Sequence, residues 1–113
     1  MTLTDRQLIA AAQSEADFQE QIITLAEATG CWVYHVYDSR RSTPGFPDLM
    51  ILRGIDLTFL ETKKEKGRVR PEQQWVIDAL AKVERVTARI VHPSDWPWVE
   101  AKLTGRPGPG SKP

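Results

Sequence analysis

The sequence predicts an α/β fold, with a small mixed central sheet flanked by helices, and three observations predict it. A chain of 113 residues, 41% of them hydrophobic and 27% charged, is long enough for one domain with a core of its own. Segments with apolar residues at helical spacing are separated by short runs of β-branched and aromatic residues. After a short opening helix the order is helix, three strands, helix, strand, helix, which is typical of a mixed α/β domain.

A single domain is predicted over residues 1–103, followed by a disordered tail over residues 104–113. The tail holds three of the seven glycines and three of the eight prolines. A segment of this composition has too little apolar surface to bury for a folded structure.

Two helices are predicted before the first strand. Thr4 and Gln7 have the spacing of a capping box, which indicates a short opening helix. Ser14 is typical of a second N-cap, and the helix that it begins is expected to run to about Ala28 and to end at Gly30.

Four strands are predicted from runs that are rich in β-branched, aromatic or alternating apolar residues. They are Cys31–Tyr37, Pro47–Arg53, Leu57–Lys63 and Val86–Val91. A polar loop over residues 38–45 separates the first two strands, and a turn at residues 54–56 favours antiparallel pairing of the second and third.

Two more helices are predicted in the second half of the chain. Pro71 suits the first turn of a helix that runs to about Val83. Ser94 is interpreted as the cap of a short last helix that carries Trp96 and Trp98. These tryptophans are assigned to the core or to an interface, and an exposed pair would serve a dimer contact.

Charge and cysteine content exclude several classes of protein. Fifteen Lys and Arg balance fifteen Asp and Glu, which excludes a generic basic coat for nucleic acid. The single cysteine, Cys31, excludes a disulfide framework and a thiolate zinc cluster, so a cytoplasmic protein is expected. The sequence has neither an apolar stretch of membrane-spanning length nor the pattern of a signal peptide. We therefore expect no membrane partner and no organic cofactor.

Polar residues occur in four places where packing favours apolar ones, and two of these places are on strands. Asp48 begins an apolar strand directly after Pro47, where a turn-forming role is the alternative interpretation. Glu61 shares one strand face with Phe59 and Lys63, unless the end of this strand simply runs into solvent.

The other two places are on helices. Gln73 stacks with Ile77 on the face that should meet the sheet, although a first-turn glutamine can also serve free backbone groups. Glu15 shares an apolar stripe with Phe18, although a first-turn acid also suits the helix dipole. Glu20 lies nearer the solvated side, so Glu15 is favoured as the inward carboxylate, and the choice between them stays open.

Two carboxylates on neighbouring strands, with a lysine two residues after the second one, can act together in one chemical site. Mg²⁺ and Mn²⁺ prefer oxygen ligands, and Asp48 and Glu61 could hold one such ion. A bound ion lowers the pKa of a water and stabilises charge on a phosphate, while Lys63 could orient that water. The combination indicates a site that hydrolyses phosphodiesters.

The motifs around these residues resemble the VRR-NUC branch of the PD-(D/E)xK nuclease superfamily. Twelve residues separate Asp48 from Glu61, and the likeness extends from Glu15 to Leu103. The motifs that carry it are Glu15 with Phe18-Gln19, Gly30 to His35, Asp38-Ser39-Arg40, Gly45-Phe46-Pro47-Asp48-Leu49, Glu61-Thr62-Lys63 and Pro71-Glu72-Gln73.

The resemblance implies a restriction-endonuclease-like core and a role for each matching residue. By position, Asp48 and Glu61 would be metal ligands, with the Thr62 backbone carbonyl as a third, and Lys63 would be the catalytic lysine. Gln73 would support the site, and Glu15 would be the acid from the first core helix. Arg70 departs from the family pattern, in which Ser or Thr often caps this helix.

The same resemblance extends to the substrate and the assembly. Small stand-alone VRR-NUC proteins are similar to Holliday-junction resolvases, and several are encoded by bacteriophages. The likeness therefore implies a homodimer that acts on branched DNA.

The basic residues are concentrated around the proposed site. Residues 40–70 hold eight Lys and Arg against four Asp and Glu, so this segment has a net charge of +4 and the rest of the chain −4. Lys and Arg contacts to phosphate supply most sequence-independent affinity for DNA. The residues predicted to make these contacts are Arg40, Arg41, Lys64, Lys66 and Arg68, and a solvated charged loop is the alternative.

Three functions compete on these grounds. The primary hypothesis is a Mg²⁺- or Mn²⁺-dependent DNA endonuclease. The second is a non-catalytic module that binds nucleic acid through the basic loop. The third is a structural α/β domain whose carboxylates merely pair with the neighbouring lysines.

Overall fold

The computed structural model describes residues 3–36 and 43–105 of the chain. The order of helices and strands along these residues is the predicted one, with an additional 3₁₀ helix. The helices are α1 Asp5–Ala12, α2 Glu15–Ala28, α3 Pro71–Ala81 and α4 Trp96–Thr104, with a 3₁₀ helix at Pro93–Asp95. The strands are β1 Trp32–His35, β2 Leu49–Arg53, β3 Asp56–Thr62 and β4 Val86–Val91.

The four strands form one mixed sheet in the order β1-β2-β3-β4. Antiparallel pairing joins β1 to β2 and β2 to β3, with Leu49 opposite Leu60. Pairing between β3 and β4 is parallel, with Thr62 opposite Val91, because α3 carries the chain back across the sheet between them. The predicted α/β class, the mixed sheet and the antiparallel pairing of the second and third strands are confirmed.

One face of the sheet packs against α2 and α4. Phe18 and Ile22 of α2 are completely buried, and burial of each side chain contributes about 1.5–3 kcal/mol. Their neighbours in the core come from every layer of the fold, and they are Ala26, Cys31, Leu49, Ile51, Leu60, Val91, Val99 and Leu103. This core fixes α2 against the strands that carry the candidate residues.

The opposite face of β3 meets α3. Since neighbouring side chains alternate across a strand, Phe59 and Glu61 point away from the core that holds Leu60. Phe59 contacts the ring of Phe46 edge to face, and Ile77 of α3 is buried on this side. The predicted shared face of Phe59 and Glu61 is therefore present.

The helix starts near the N-terminus follow the predicted caps. Thr4 Oγ1 accepts the Gln7 N–H while the Gln7 side chain accepts the Thr4 N–H, which completes the capping box. Ser14 Oγ accepts a backbone N–H at the start of α2. Gly30, with a φ of +82°, follows the end of α2.

Several element ends differ from the prediction. Strand β1 begins at Trp32, because the Cys31 N–H still bonds to the Ala26 carbonyl at the end of α2, and Tyr37 lies outside the described residues. Strand β2 begins at Leu49, two residues later than predicted, and β3 spans Asp56–Thr62 rather than Leu57–Lys63. Helix α3 ends at Ala81, two residues before Val83.

The predicted cap at Ser94 is wrong. Residues 93–95 form a 3₁₀ helix, in which Asp95 Oδ2 accepts the His92 N–H, and Asp95 directly precedes α4. The Ser94 N–H instead donates to the Glu65 side chain. Helix α4 also includes Thr104, which the sequence assigned to the tail; the rest of that tail, from residue 106, lies outside the described residues.

The predicted core assignment holds for Trp96 and Trp98, and the alternative of an exposed pair does not. Trp96 and Trp98 are half-buried against the core, and the Arg89 guanidinium lies 4.4 Å from the centre of the Trp98 ring. The exposed tryptophans among the described residues are Trp32 and Trp75. A dimer contact through Trp96 and Trp98 therefore loses its structural basis.

Within residues 3–36 and 43–105, no helix combines the length and the apolar character that crossing a bilayer requires.

Candidate active site

Five residues singled out from the sequence line one cavity of about 370 Å³. The antiparallel pairing of β2 and β3 brings the start of one strand beside the end of the other. The cavity lies at this end of the pair, and α2 and α3 each direct their first turn to it. The five residues are Glu15, Asp48, Glu61, Lys63 and Gln73.

Asp48 makes its hydrogen bonds across the sheet. Its Oδ2 accepts from the Thr62 backbone N–H at 3.0 Å and from the Thr62 hydroxyl at 2.8 Å. The carboxylate thus takes the place of a main-chain acceptor beyond the end of the β2–β3 ladder. These long-range bonds do not support the alternative that Asp48 only forms a local turn.

Glu61 is a buried carboxyl group with one unpartnered oxygen. Glu61 is only 3% exposed, so this end of β3 does not run into solvent. Oε1 accepts from Gln73 Nε2 at 2.9 Å and lies 3.7 Å from Lys63 Nζ. Oε2 accepts no hydrogen bond from the described residues. The Asp48 carboxyl lies within hydrogen-bond reach of Glu61, but that bond needs a proton on one of the two groups.

Burial is the main reason why the pKa of Glu61 rises to about 8. The negative charge of Asp48 raises it further, and the nearby Lys63 ammonium opposes the shift. In the metal-free protein the Glu61 carboxyl is therefore mostly protonated at neutral pH. A cation beside Oε2 would favour the ionised form.

Gln73 has both of the roles that the sequence left open: it faces the site, and it satisfies a free backbone group at the helix start. Its Oε1 accepts the Arg70 N–H at 2.9 Å, and its Nε2 donates to Glu61. Arg70 supplies no acceptor of its own, so Gln73 satisfies the Arg70 N–H at the helix start. The amide is buried and cannot rotate without breaking both bonds.

Glu15 lies at the edge of the cavity, and Glu20 does not reach it. Partial burial and the charge of Asp48 raise the pKa of Glu15, against the opposing effect of Lys63 and Lys64. Glu20 instead borders a separate, mainly apolar depression beside Trp96. Of the two acids, Glu15 is the one directed at the candidate site.

Gln19 contacts the site although no role was predicted for it. Its Nε2 donates to Thr62 Oγ1 at 2.6 Å, across 43 positions of sequence. The available signal was spacing, because Gln19 lies one helical turn after Glu15 on the same stripe and belongs to the motif that resembles VRR-NUC proteins.

The oxygen donors of the cavity fit a hard divalent cation better than a soft one. The two hydrogen bonds from Thr62 go to Asp48 Oδ2, and Glu61 Oε2 accepts no hydrogen bond from the described residues. The C=O and N–H of a strand residue point to the same side, so the Thr62 carbonyl is directed towards the Asp48 side. Within the described residues no three Asp, Glu, His or Cys side chains form a ready metal cluster, so waters would have to complete the coordination.

The predicted phosphate-binding residues are only partly within the described chain. Lys64, Lys66 and Arg68 are exposed and follow Lys63 directly. Arg40 and Arg41 lie outside the described residues. Lys64 and Lys66 border a second cavity beside the junction of α1 and α2, so the exposed positive charge continues from the candidate site to that junction.

Comparison of the chain with models of protein families, with curated protein sequences and with solved structures gives no match.

Proposed function

We propose that the protein is a Mg²⁺- or Mn²⁺-dependent DNA endonuclease with a VRR-NUC-like site on a restriction-endonuclease-like core. The observation that carries the proposal is Glu61, a buried carboxyl with an unpartnered oxygen in the same cavity as Asp48 and Lys63. When Glu61 is ionised, this oxygen has no donor and lies close to the Asp48 charge, so the ionised pair calls for a cation. A cavity that is lined by oxygen atoms and contains a carboxylate able to coordinate a cation is the kind of site that binds a hard metal ion.

The chain's own residues divide the work of phosphodiester hydrolysis. Asp48 and Glu61 would hold the ion, with the Thr62 carbonyl as a third ligand. When bound, the ion supplies an acidified water and offsets the charge on the scissile phosphate. Lys63, only 13% exposed and with its Nζ 3.7 Å from Glu61 Oε1, would orient the water and stabilise negative charge. Gln73 and Glu15 complete the polar wall of the cavity.

The substrate side of the proposal rests on charge and on the family resemblance. The exposed side chains of Lys64, Lys66 and Arg68 contact DNA phosphates next to the cavity. Branched DNA such as a Holliday junction is the proposed substrate, and a homodimer is the proposed assembly. One chain offers one site, and a symmetric pair of cuts needs two. We place this activity in the cytoplasm.

Cleavage assays with matched variants test the proposal. The wild-type protein with Mg²⁺ or Mn²⁺ should nick a labelled four-way junction, a flap or a supercoiled plasmid, and EDTA should stop it. Asp48→Asn and Lys63→Met should lose at least 100-fold in rate, whereas Lys82→Met, beyond the far end of α3, should not. Wild-type rates in Asp48→Asn or Lys63→Met would refute the assignment.

The basic loop gives a second candidate function some support. A non-catalytic module that binds nucleic acid would use Lys64, Lys66 and Arg68 without any metal. Calorimetric titration with Mn²⁺ or Ca²⁺ separates the two, with Glu61→Ala as the control. Metal binding that Glu61→Ala abolishes favours the nuclease, and DNA binding without metal binding favours the module.

The structural-domain alternative accounts for less of the site. It expects the carboxylates to pair with neighbouring lysines, and Lys63 does lie 3.7 Å from Glu61 Oε1. It leaves the burial of the unpartnered Oε2 without a reason. It also predicts neither metal binding nor salt-sensitive affinity for DNA, so the same titrations test it.

A further inference from the structure

We propose that Gln19 is a positioning residue that sets the carboxylate of Asp48 through the hydroxyl of Thr62. The inference deepens the proposed metal site and rests on it, because it concerns how the Asp48 carboxylate is oriented towards the cavity. It assigns a role to the side chain of the middle residue of Glu61-Thr62-Lys63, in addition to its backbone carbonyl.

Three hydrogen bonds connect helix α2 to Asp48 through the sheet. Gln19 Nε2 lies 2.6 Å from Thr62 Oγ1, and Thr62 Oγ1 lies 2.8 Å from Asp48 Oδ2. The Thr62 backbone N–H donates to the same Oδ2 at 3.0 Å. Thr62 is completely buried, so water does not compete for its hydroxyl.

The protons in this chain of bonds have only one consistent arrangement. An ionised carboxylate only accepts hydrogen bonds, so the single hydroxyl proton of Thr62 must point to Asp48. The Thr62 oxygen then faces Gln19 with a lone pair, which only the amide NH₂ can satisfy. An acceptor at position 19 would compete for that proton and withdraw it from Asp48.

The consequence is a fixed orientation of Asp48. With two donors on Oδ2, the side chain cannot leave its present χ1 rotamer without breaking both bonds, so Oδ1 stays directed away from the Thr62 donors. Glu61 points to the α3 face and Thr62 to the α2 face, so the two ligand carboxylates are supported from opposite sides of the sheet. Gln73 supports Glu61, and Gln19, through Thr62, supports Asp48.

Isosteric variants separate this role from simple packing. Thr62→Val removes the hydroxyl at constant shape and keeps the backbone N–H, and Thr62→Ser keeps the hydroxyl. Gln19→Glu replaces the donor by an acceptor. Gln21→Glu is its matched control, because Gln21 Oε1 already accepts from Gln13 and a carboxylate would continue to do so.

Two readouts are needed for each variant. Three-bond NMR couplings report whether the Asp48 χ1 angle is fixed in the metal-free protein, and calorimetry gives the Mn²⁺ dissociation constant. In Thr62→Val and Gln19→Glu we expect averaged χ1 couplings and a roughly 10- to 100-fold weaker Mn²⁺ affinity. Thr62→Ser and Gln21→Glu should keep the wild-type values for both.

Fixed χ1 couplings and an unchanged Mn²⁺ affinity in Thr62→Val and Gln19→Glu would overturn the inference, even if both variants were less stable. A wild-type protein that binds no Mn²⁺ would overturn the proposed function instead. The couplings would still decide whether Gln19 orients Asp48, since they are measured without metal. Should Thr62→Val fail to fold, the half-buried Gln19 supplies the deciding pair, Gln19→Glu and Gln19→Met.

Discussion

Gln73 joins Glu61 to the start of α3, because its Nε2 donates to Glu61 Oε1 while its Oε1 accepts the Arg70 N–H, both at 2.9 Å. One amide therefore completes a helix start and holds a buried carboxyl group. The position of Glu61 depends on α3 as much as on its own strand.

Replacing Gln73 by methionine should reduce both stability and cleavage. The change leaves the Arg70 N–H and Glu61 Oε1 without their partner, and each group left unsatisfied costs about 1–3 kcal/mol. Gln74→Met is the control, because the Gln74 side chain bonds to Asp78 on the exposed face and should matter by less than about 0.5 kcal/mol. Urea denaturation gives the free energies of unfolding, and equal values for the two variants would contradict the role of Gln73.

The raised pKa of Glu61 makes the stability of the metal-free protein depend on pH. Between the ordinary value of 4.5 and the folded value of about 8, the folded state holds a proton that the unfolded chain has lost. The free energy of unfolding should therefore fall as the pH rises through this window and level off above it. Urea denaturation at pH 5, 7 and 9 measures the trend.

Glu61→Gln isolates this contribution, because a glutamine keeps the shape and does not titrate. The free energy of unfolding of the variant should increase relative to that of the wild type as the pH rises, with the largest difference near pH 9. Glu72→Gln, an exposed change at the same cavity, should follow the wild-type curve. Under the proposed function Mn²⁺ would oppose the trend, since binding requires the ionised carboxyl. Parallel curves for Glu61→Gln and the wild type would contradict the burial of a titrating group.

Local patterns predicted the elements and one side of the site. The spacing of Gln73 and Ile77 placed both on the buried face of α3, and strand alternation placed Glu61 with Phe59. These predictions succeed because periodicity is a property of the backbone that packing rarely reverses. Such patterns show which face a residue lies on but not its distances to other groups. The two hydrogen bonds of the Gln73 side chain could therefore not be predicted from spacing.

The contributions of Thr62 and Gln19 depend on tertiary packing. A threonine in a strand is ordinary, and its hydroxyl becomes important only because α2 packs on that face and brings Gln19 to it. The predicted cap at Ser94 failed for a related reason. The Ser94 N–H bonds to the Glu65 side chain, 29 positions away, and the 3₁₀ helix at residues 93–95 places Asp95 rather than Ser94 directly before α4.

Gly45 should be the most sensitive glycine near the site. A Cβ at this position would lie 2.5 Å from the Glu72 carbonyl oxygen, and φ is +90°. Gly45→Ala must therefore shift the loop of residues 43–47, which directly precedes Asp48, or the first turn of α3. We expect a loss of more than about 1 kcal/mol in stability, together with weaker Mn²⁺ affinity and slower cleavage.

Gly30→Ala is the matched control for this effect. Gly30 also has a positive φ, +82°, but a Cβ there meets nothing within 4 Å. It should therefore show only the conformational cost, about 1 kcal/mol, with unchanged Mn²⁺ affinity. Equal effects of the two substitutions on stability and on Mn²⁺ affinity would show that the close approach of Gly45 to α3 does not matter.

The exposed basic residues after Lys63 should set the salt dependence of DNA binding. Replacing Lys64, Lys66 or Arg68 singly by alanine should weaken binding of all DNA sequences to a similar degree. Each replacement should reduce the slope of log affinity against log salt concentration by about 1, because each contact releases counterions from the phosphates. Fluorescence anisotropy measures the affinity for DNA at salt concentrations between about 50 and 200 mM, which gives the slopes. Ca²⁺ replaces Mg²⁺ in these measurements, because we expect it to slow cleavage. Lys82→Ala should leave the slope unchanged, and an equal loss there would mean that the loop is only one part of a diffuse charge effect.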